Sequence, residues 1–239
     1  MSLTGKVAVV TGATGTLGRV VAKALLDNGA RVVSTYRSEH KQKELGEFLG
    51  ATSGMLTSVQ ADVTDERSVQ VLFQKVVDEY GRVDILLNIV GAYKGGNEIV
   101  NTKLSDWDHM MDVNLKSAFL CSKTALSYMM KQNYGKIVSV SARTAVEKRF
   151  RSKSGAYAVS KAGIIVLTET IAEEVKKYDI NVNCITPSTI DTPDNRRNFP
   201  EGDFAKWVKP EQIASVILFL VSDDSRMISG ACIPVYGKA

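Results

Sequence analysis

Short apolar runs recur along the chain at residues 6–12 (KVAVVTG), 30–36 (ARVVSTY), 55–62 (MLTSVQAD), 82–88 (RVDILLN), 135–141 (GKIVSVS), 180–186 (INVNCIT) and 232–236 (CIPVY). Apolar residues stand at consecutive rather than alternate positions, the mark of strands covered on both faces. Most of the intervening segments are longer, and their apolar residues return every three or four positions, as on a helix with one buried face. Leu17, Val20, Val21, Ala24 and Leu25 form such a face directly after the first run. Alternating strand and helix predicts βαβ units, right-handed crossovers and an α/β fold: a doubly wound parallel sheet of about seven strands. Neither a Pro/Gly/Ser-rich linker nor an internal repeat interrupts the alternation, so residues 1–239 are expected to form a single domain. The main irregular stretches, 91–103 and 187–209, follow strands at their carboxyl ends, where open α/β sheets bind ligands.

Composition narrows the classes. The chain has 239 residues, 44% hydrophobic and 23% charged, enough to bury a large core and without the bias of a disordered chain. No run approaches the roughly 18 apolar residues of a membrane span. The opening MSLTGKVAVVTGATG lacks the charged start and cleavage site of a secretory leader, so a soluble, cytoplasmic protein with no membrane partner is expected. Cys121, Cys184 and Cys232 are odd in number, apart in sequence and set among apolar residues, which argues for packing rather than for disulfides or a metal cluster. His40 and His109 are too isolated for a zinc site. The net charge of +4 is spread along the chain, giving no support for nucleic-acid binding. Lys148, Arg149, Arg151 and Lys153 are a local exception, either a solvated loop or a basic rim that attracts an anionic substrate.

The turn between the first strand and first helix, TGATGTLG, carries Gly12, Gly15 and Gly18. Glycines there allow a tight turn, close backbone approach to a pyrophosphate and close packing of helix on strand, while the helix N-terminus offers free N–H donors. In a βαβ context this predicts a dinucleotide cofactor. An NAD site normally ends the second strand in an acidic residue that bonds the ribose 2′-hydroxyl. Here the strand ends Thr35-Tyr36-Arg37. A guanidinium binds a 2′-phosphate that a carboxylate would repel, so NADP is favoured over NAD; the alternative is that Arg37 is only a solvated strand-end charge. Asp62, ending the third run, is placed to accept a bond from adenine, and at Asn88 and Gly91 the backbone can approach the cofactor.

Tyr157 and Lys161 are four residues apart in a helical segment and project from one face. An ammonium beside a phenol stabilises the phenolate, which makes Tyr157 a candidate proton donor. The order TGxxxxxG, Asp62, Asn88 with Gly91, Asn114, Tyr157-x-x-x-Lys161, TPSTIDTP and SGACIPVYG resembles the short-chain dehydrogenase/reductase family over essentially the whole chain. The resemblance implies a Rossmann fold and a nicotinamide cofactor. It implies Tyr157 as proton donor, Lys161 holding the nicotinamide ribose and lowering the Tyr pKa, and Asn114 positioning a water in a proton relay. Cofactor contacts are implied for the glycine turn with Thr14 and Leu17, for Arg37, for Asp62 with Val63, for Asn88 and Gly91, for Tyr157 and Lys161, and for Pro187, Ile190 and Thr192. A homodimer or homotetramer built on helices around 104–132 and 153–178 is implied as well.

The chain departs from the family at Thr16, where most members have Gly, at Asn88-Ile89-Val90-Gly91 in place of NNAG, and at Pro187-Ser188 in place of PG. Ala142 stands where the substrate-orienting Ser belongs; Ser141 would replace it only if the strand has ended or bulges there. Dihydropteridine reductases are similar at the glycine turn, at the Ala, at GAYKGGN (91–97) and at DTPDNRRNFPEGDFAKW (191–207), and a quinonoid pterin needs the missing hydroxyl less than a ketone does. The expected function is therefore NAD(P)H-dependent reduction of a small carbonyl or a quinonoid pterin-like substrate. The alternatives are a 3-oxoacyl thioester or ketone reductase, and an NADP-binding sensor or scaffold that lost catalysis with its Ser.

Overall fold

In the computed structural model, which describes residues 1–50 and 54–238, all seven apolar runs become strands of one parallel sheet. The domain expected over 1–239 includes residues 51–53 and 239, which lie outside the described residues. The strands are β1 (Val7–Thr11), β2 (Arg31–Tyr36), β3 (Leu56–Gln60), β4 (Ile85–Asn88), β5 (Gly135–Val140), β6 (Ile180–Pro187) and β7 (Cys232–Val235). Their order is β3-β2-β1-β4-β5-β6-β7, so the winding reverses between β1 and β4. A crevice opens at such a reversal, outside the carboxyl ends of the strands.

Successive strand residues point to opposite faces, which is why the runs are apolar throughout. Ala8, Val10, Ile85, Leu87 and Val138 pack on helices α1 (Thr16–Asp27) and α9 (Pro210–Val221), where Val21, Leu25, Ile217 and Leu220 are buried. Val7, Val9, Leu86, Ile137 and Val182 belong to the core on the other face, with Leu72, Phe73, Leu120, Met129 and Ile171. Those residues come from α3 (Glu66–Tyr80), α5 (Ser117–Gln132) and α7 (Gly155–Glu174), while α2 (Glu39–Leu49) closes the first face with Leu45. Each such side chain contributes about 1.5–3 kcal/mol when fully buried, so the two layers hold the sheet as a rigid platform.

Local chemistry sets the element ends. The Asp65 carboxylate accepts the Ser68 N–H at 2.7 Å to start α3, and Gly81, with φ +71°, stops it. The helical stretch expected near 104–132 is built in three pieces: α4 (Leu104–Met110), a π-helical turn over Met111–Lys116, and α5. Such wide turns mark places where a helix is deformed for a local purpose, and Asn114 lies in this one. Cys184 and Cys232, distant in sequence, are partners in the register of β6 and β7, and both are free thiols. Among the described residues no helix is long and apolar enough to cross a membrane.

Candidate active site

A cavity of about 1000 Å³ occupies the crevice at the carboxyl ends of the strands. Its floor is the glycine turn. Gly12 has φ +72°, and a Cβ on it would sit 2.9 Å from the Val90 nitrogen; a Cβ on Gly18 would sit 2.1 Å from the Gly12 carbonyl oxygen. These two glycines hold helix to strand. Gly15 remains open, its nearest neighbour 3.4 Å away, and no side chain caps α1 there, so the first-turn N–H groups are left for a ligand. Thr14, Leu17, Arg37, Asp62 and Val63 continue the wall. The Asp62 carboxylate accepts the Thr64 N–H (2.9 Å) and hydroxyl (2.7 Å). Those bonds hold its pKa below the usual carboxylate range, with the charges of Arg37 and Lys116 adding to the effect. An open glycine cradle, an acceptor at the end of β3 and a guanidinium at the end of β2 fit a dinucleotide carrying a 2′-phosphate.

Tyr157 and Lys161 project from the first turns of α7 into the same cavity. The Lys161 Nζ donates to the Val140 carbonyl at 2.8 Å and lies beside Gly91 and the Asn114 Oδ1: a Cβ on Gly91 would meet them at 3.1 and 3.0 Å. Asn114 itself is fully buried; its Oδ1 accepts the Ala92 N–H (2.9 Å), and its Nδ2 donates to the Ala92 carbonyl (3.1 Å) and Ser160 Oγ (3.0 Å). The π turn thus ties the β4 loop to α7. Burial lowers the Lys161 pKa to about 8. Burial first, and then the neighbouring Tyr93, pushes the Tyr157 phenol up. The lowering expected from Lys161 does not appear: burial, not the cation, sets the direction of the phenol's pKa. The phenol is therefore protonated at neutral pH, as a proton donor must be. The Tyr93 ring stands edge-on to the Tyr157 ring, centroids 5.0 Å apart.

β5 ends at Val140, although the Ser141 N–H still donates to the Ile185 carbonyl of β6 at 2.8 Å, and Ser141 lines the cavity. Its hydroxyl, however, donates to the Lys161 carbonyl at 2.7 Å and would reach a substrate only by giving up that bond. Ala142 is extended and buried, and α6 (Arg143–Val146) follows it. Arg151, part of the suspected basic rim, donates to the carbonyls of Thr144 (3.1 Å) and Ala145 (2.7 Å), and Arg149 pairs with Glu147 (2.8 Å). Both are engaged in holding this segment.

The 187–209 stretch closes one side. Pro187, Ile190, Asn195 and Phe199 face the cavity. Thr192 does not; it caps α8 (Pro193–Asn198), accepting the Asn195 N–H at 3.1 Å. Asn88 also points away, its Nδ2 donating to Ser122 and Ser139. The residues behind the pteridine reductase likeness mostly build the loop: Asp191 pairs with both Nε (2.6 Å) and a terminal nitrogen (2.8 Å) of Arg196. Arg196 in turn lies over the Phe204 ring, which meets Trp207 edge-on at 4.8 Å. That pattern accounts for the motif without reference to a pterin. Tyr93, Thr144, Phe150 and Phe199 are cavity residues given no role from the sequence; the segments 91–97 and 191–207 that carry the pteridine reductase likeness include Tyr93 and Phe199.

Comparison with known proteins agrees with this geometry. Residues 12–237 match the family model described as enoyl-(acyl carrier protein) reductase. The 3-oxoacyl-[acyl-carrier-protein] reductase FabG of Thermotoga maritima is 34% identical over 99% of this chain and 98% of its own length, and that of Escherichia coli K12 is 32% identical over the same shares. Among solved structures, ElxO with NADP bound superposes with a TM-score of 0.91 at 28% identity, covering 97% of both chains. Levodione reductase does so with 0.90 at 25% identity, over 98% of this chain and 97% of its own. Fold, site and relatives agree: the chain belongs to the short-chain dehydrogenase/reductase family of NAD(P)-dependent oxidoreductases.

Proposed function

We propose that the chain is an NADPH-dependent reductase of a ketone or 3-oxoacyl thioester, with Tyr157 delivering the proton. The observation that carries this is the meeting, in one cavity, of a protonated phenol, a buried amine one helical turn away and an open glycine cradle flanked by Arg37. Bound NADPH supplies the hydride. Tyr157 gives its proton to the carbonyl oxygen as charge develops there, and the ammonium of Lys161 stabilises the phenolate left behind. Lys161 and Asn114 hold the cofactor side of the cleft in register with α7, and Tyr93, Phe150 and Phe199 line the cavity. The 3-oxoacyl thioester reductases at 34% and 32% identity over nearly full length favour the carbonyl alternative over a pterin.

Steady-state oxidation of NADPH and NADH against an acetoacetyl thioester, simple ketones and quinonoid dihydropterin tests the reading. Turnover of the thioester or a ketone, faster with NADPH, is expected. Tyr157→Phe should lower kcat by about 10²–10⁴-fold, the usual range for a lost general acid, with NADPH binding retained. Equal turnover by wild type and Tyr157→Phe would remove Tyr157 from the chemistry; tight NADPH binding with no carbonyl reduced would leave a nucleotide-binding module.

A further inference from the structure

We propose that Cys184 and Cys232 form a redox pair, in which a hydroperoxide oxidises Cys232 to a sulfenic acid and Cys184 closes on it as a disulfide joining β6 to β7. The two are partners in the parallel register of those strands, and the Cys184 N–H donates to the Ala231 carbonyl at 2.9 Å. Partner residues point to the same face, and adjacent strands lie about 4.7–4.9 Å apart, inside the Cα separation of about 4.4–6.8 Å that a disulfide spans. β7 is the last strand of the sheet and is paired on one side alone, so it is free to make the small shift that brings the sulfurs into bonding distance. Both residues are free thiols, Cys184 buried and Cys232 partly exposed.

Burial divides the work between them. Of the two, Cys232 is the one open to a solute, and a thiolate rather than a thiol attacks a peroxide. The hydrogen bond from the Cys184 thiol holds the Cys232 pKa below the ordinary thiol range; burial opposes it, the Thr186 hydroxyl adds to it, and the Glu169 carboxylate of α7 works against it. Cys184 is pushed the other way, by the same bond and then by burial, and keeps its proton. The Cys232 sulfur attacks one peroxide oxygen: an S–O bond forms, the O–O bond breaks, and the leaving oxygen takes a proton and departs as water or an alcohol. The Cys184 sulfur then attacks the Cys232 sulfur; the S–S bond forms, the S–O bond breaks, and the hydroxide leaves as water with the Cys184 proton. Two thiols are oxidised and one peroxide is reduced. Beyond the cysteines the same strands meet at the cavity wall, where Ser188 donates its N–H to the Val235 carbonyl (3.1 Å) and its hydroxyl to the Tyr236 carbonyl (2.8 Å). The bridge therefore fastens the two strands just below that wall.

The test treats reduced, full-length wild type, Cys184→Ala and Cys232→Ala with a small molar excess of hydrogen peroxide, then unfolds each in iodoacetamide and reads intact mass and peptide maps. Cys121, buried and with its pKa raised to about 12 by that burial, is the internal control. Of the three thiols in the wild type, Cys121 alone should stay alkylatable, with the peptides of Cys184 and Cys232 joined, and dithiothreitol should restore all three. Cys184→Ala should stop at the sulfenic acid on Cys232, trapped by dimedone, and Cys232→Ala should lose no alkylatable thiol. Three alkylated thiols in the peroxide-treated wild type, a bridge joining two chains through Cys232, or a dimedone adduct as abundant in wild type as in Cys184→Ala overturns the proposal. Should either variant fail to fold, the wild-type peptide map decides alone: a link within one chain supports the pair, and its absence overturns it.

Discussion

Lys161 is 5% exposed and its pKa falls from 10.5 to about 8, so burying its charge costs roughly 3 kcal/mol at neutral pH. Its bond to the Val140 carbonyl returns only about 1 kcal/mol. Desolvation therefore outweighs the hydrogen bond, and Lys161→Met, close in length and apolar, should be more stable than wild type by about 2 kcal/mol at pH 6.5, with reductase activity lost. The pH dependence follows from the sign of the shift. Between about 8 and 10.5 the unfolded chain binds the proton that the folded chain has released, so wild-type stability rises with pH in that window and the variant's advantage closes by its upper end. Urea unfolding at both ends of the window measures it; a variant less stable than wild type at pH 6.5, or a difference that ignores pH, would sink the argument. At this scale Tyr157, Lys161 and the glycines were legible because a fixed spacing on one element carries them. Phe150 and Tyr93 were not, since their place on the cavity wall depends on what stands opposite them in the fold. The direction of the Tyr157 shift was missed for the same reason: the depth of burial that decides it is a tertiary quantity.

Among the elements, the strand–turn–helix of β1 and α1 leaves the least room for change. A methyl on Gly18 would fall 2.1 Å from the Gly12 carbonyl oxygen and 2.8 Å from the Ala13 Cα, both backbone atoms, so α1 must lift off β1 to admit it. Gly18→Ala should therefore cost about 1–3 kcal/mol of stability, as overpacking does, and weaken NADPH binding by spoiling the cradle. Gly15→Ala is the control: with its nearest neighbour at 3.4 Å it should fold as stably as wild type while still crowding the phosphate path. Equal unfolding midpoints for the two variants would contradict this account. Long, periodic elements such as these were readable from the apolar pattern, and all seven strands lie where it put them. The π turn at Met111–Lys116, the four residues of α6 and the six of α8 were not, because each is too short to show a period and is set by contacts made elsewhere.

For the whole molecule, α7 is the element that asks for a partner. It turns Ile164, Ile171 and Ala172 to the core and Tyr157 and Lys161 to the cavity, yet leaves Val159 and Val166, seven residues apart on one face, 48% and 62% exposed. Gly163 lets the helix press close to Leu115, where a Cβ would sit 2.6 Å from a Leu115 methyl, so α7 cannot rotate to hide them. Phe119 of α5 is exposed as well. A helix apolar on nearly every side is normally buried on nearly every side. We infer that a second copy covers this face in a closed, two-fold contact, the commonest way a repeated patch is satisfied. Because α7 carries both active-site groups, the contact would also steady the site. Val166→Glu should then shift the protein to monomer in sedimentation velocity, remove any concentration dependence of Tm and reduce kcat with the NADPH dissociation constant little changed. A wild type that sediments as a monomer at micromolar concentration would refute the inference and leave the exposed valines without a structural account.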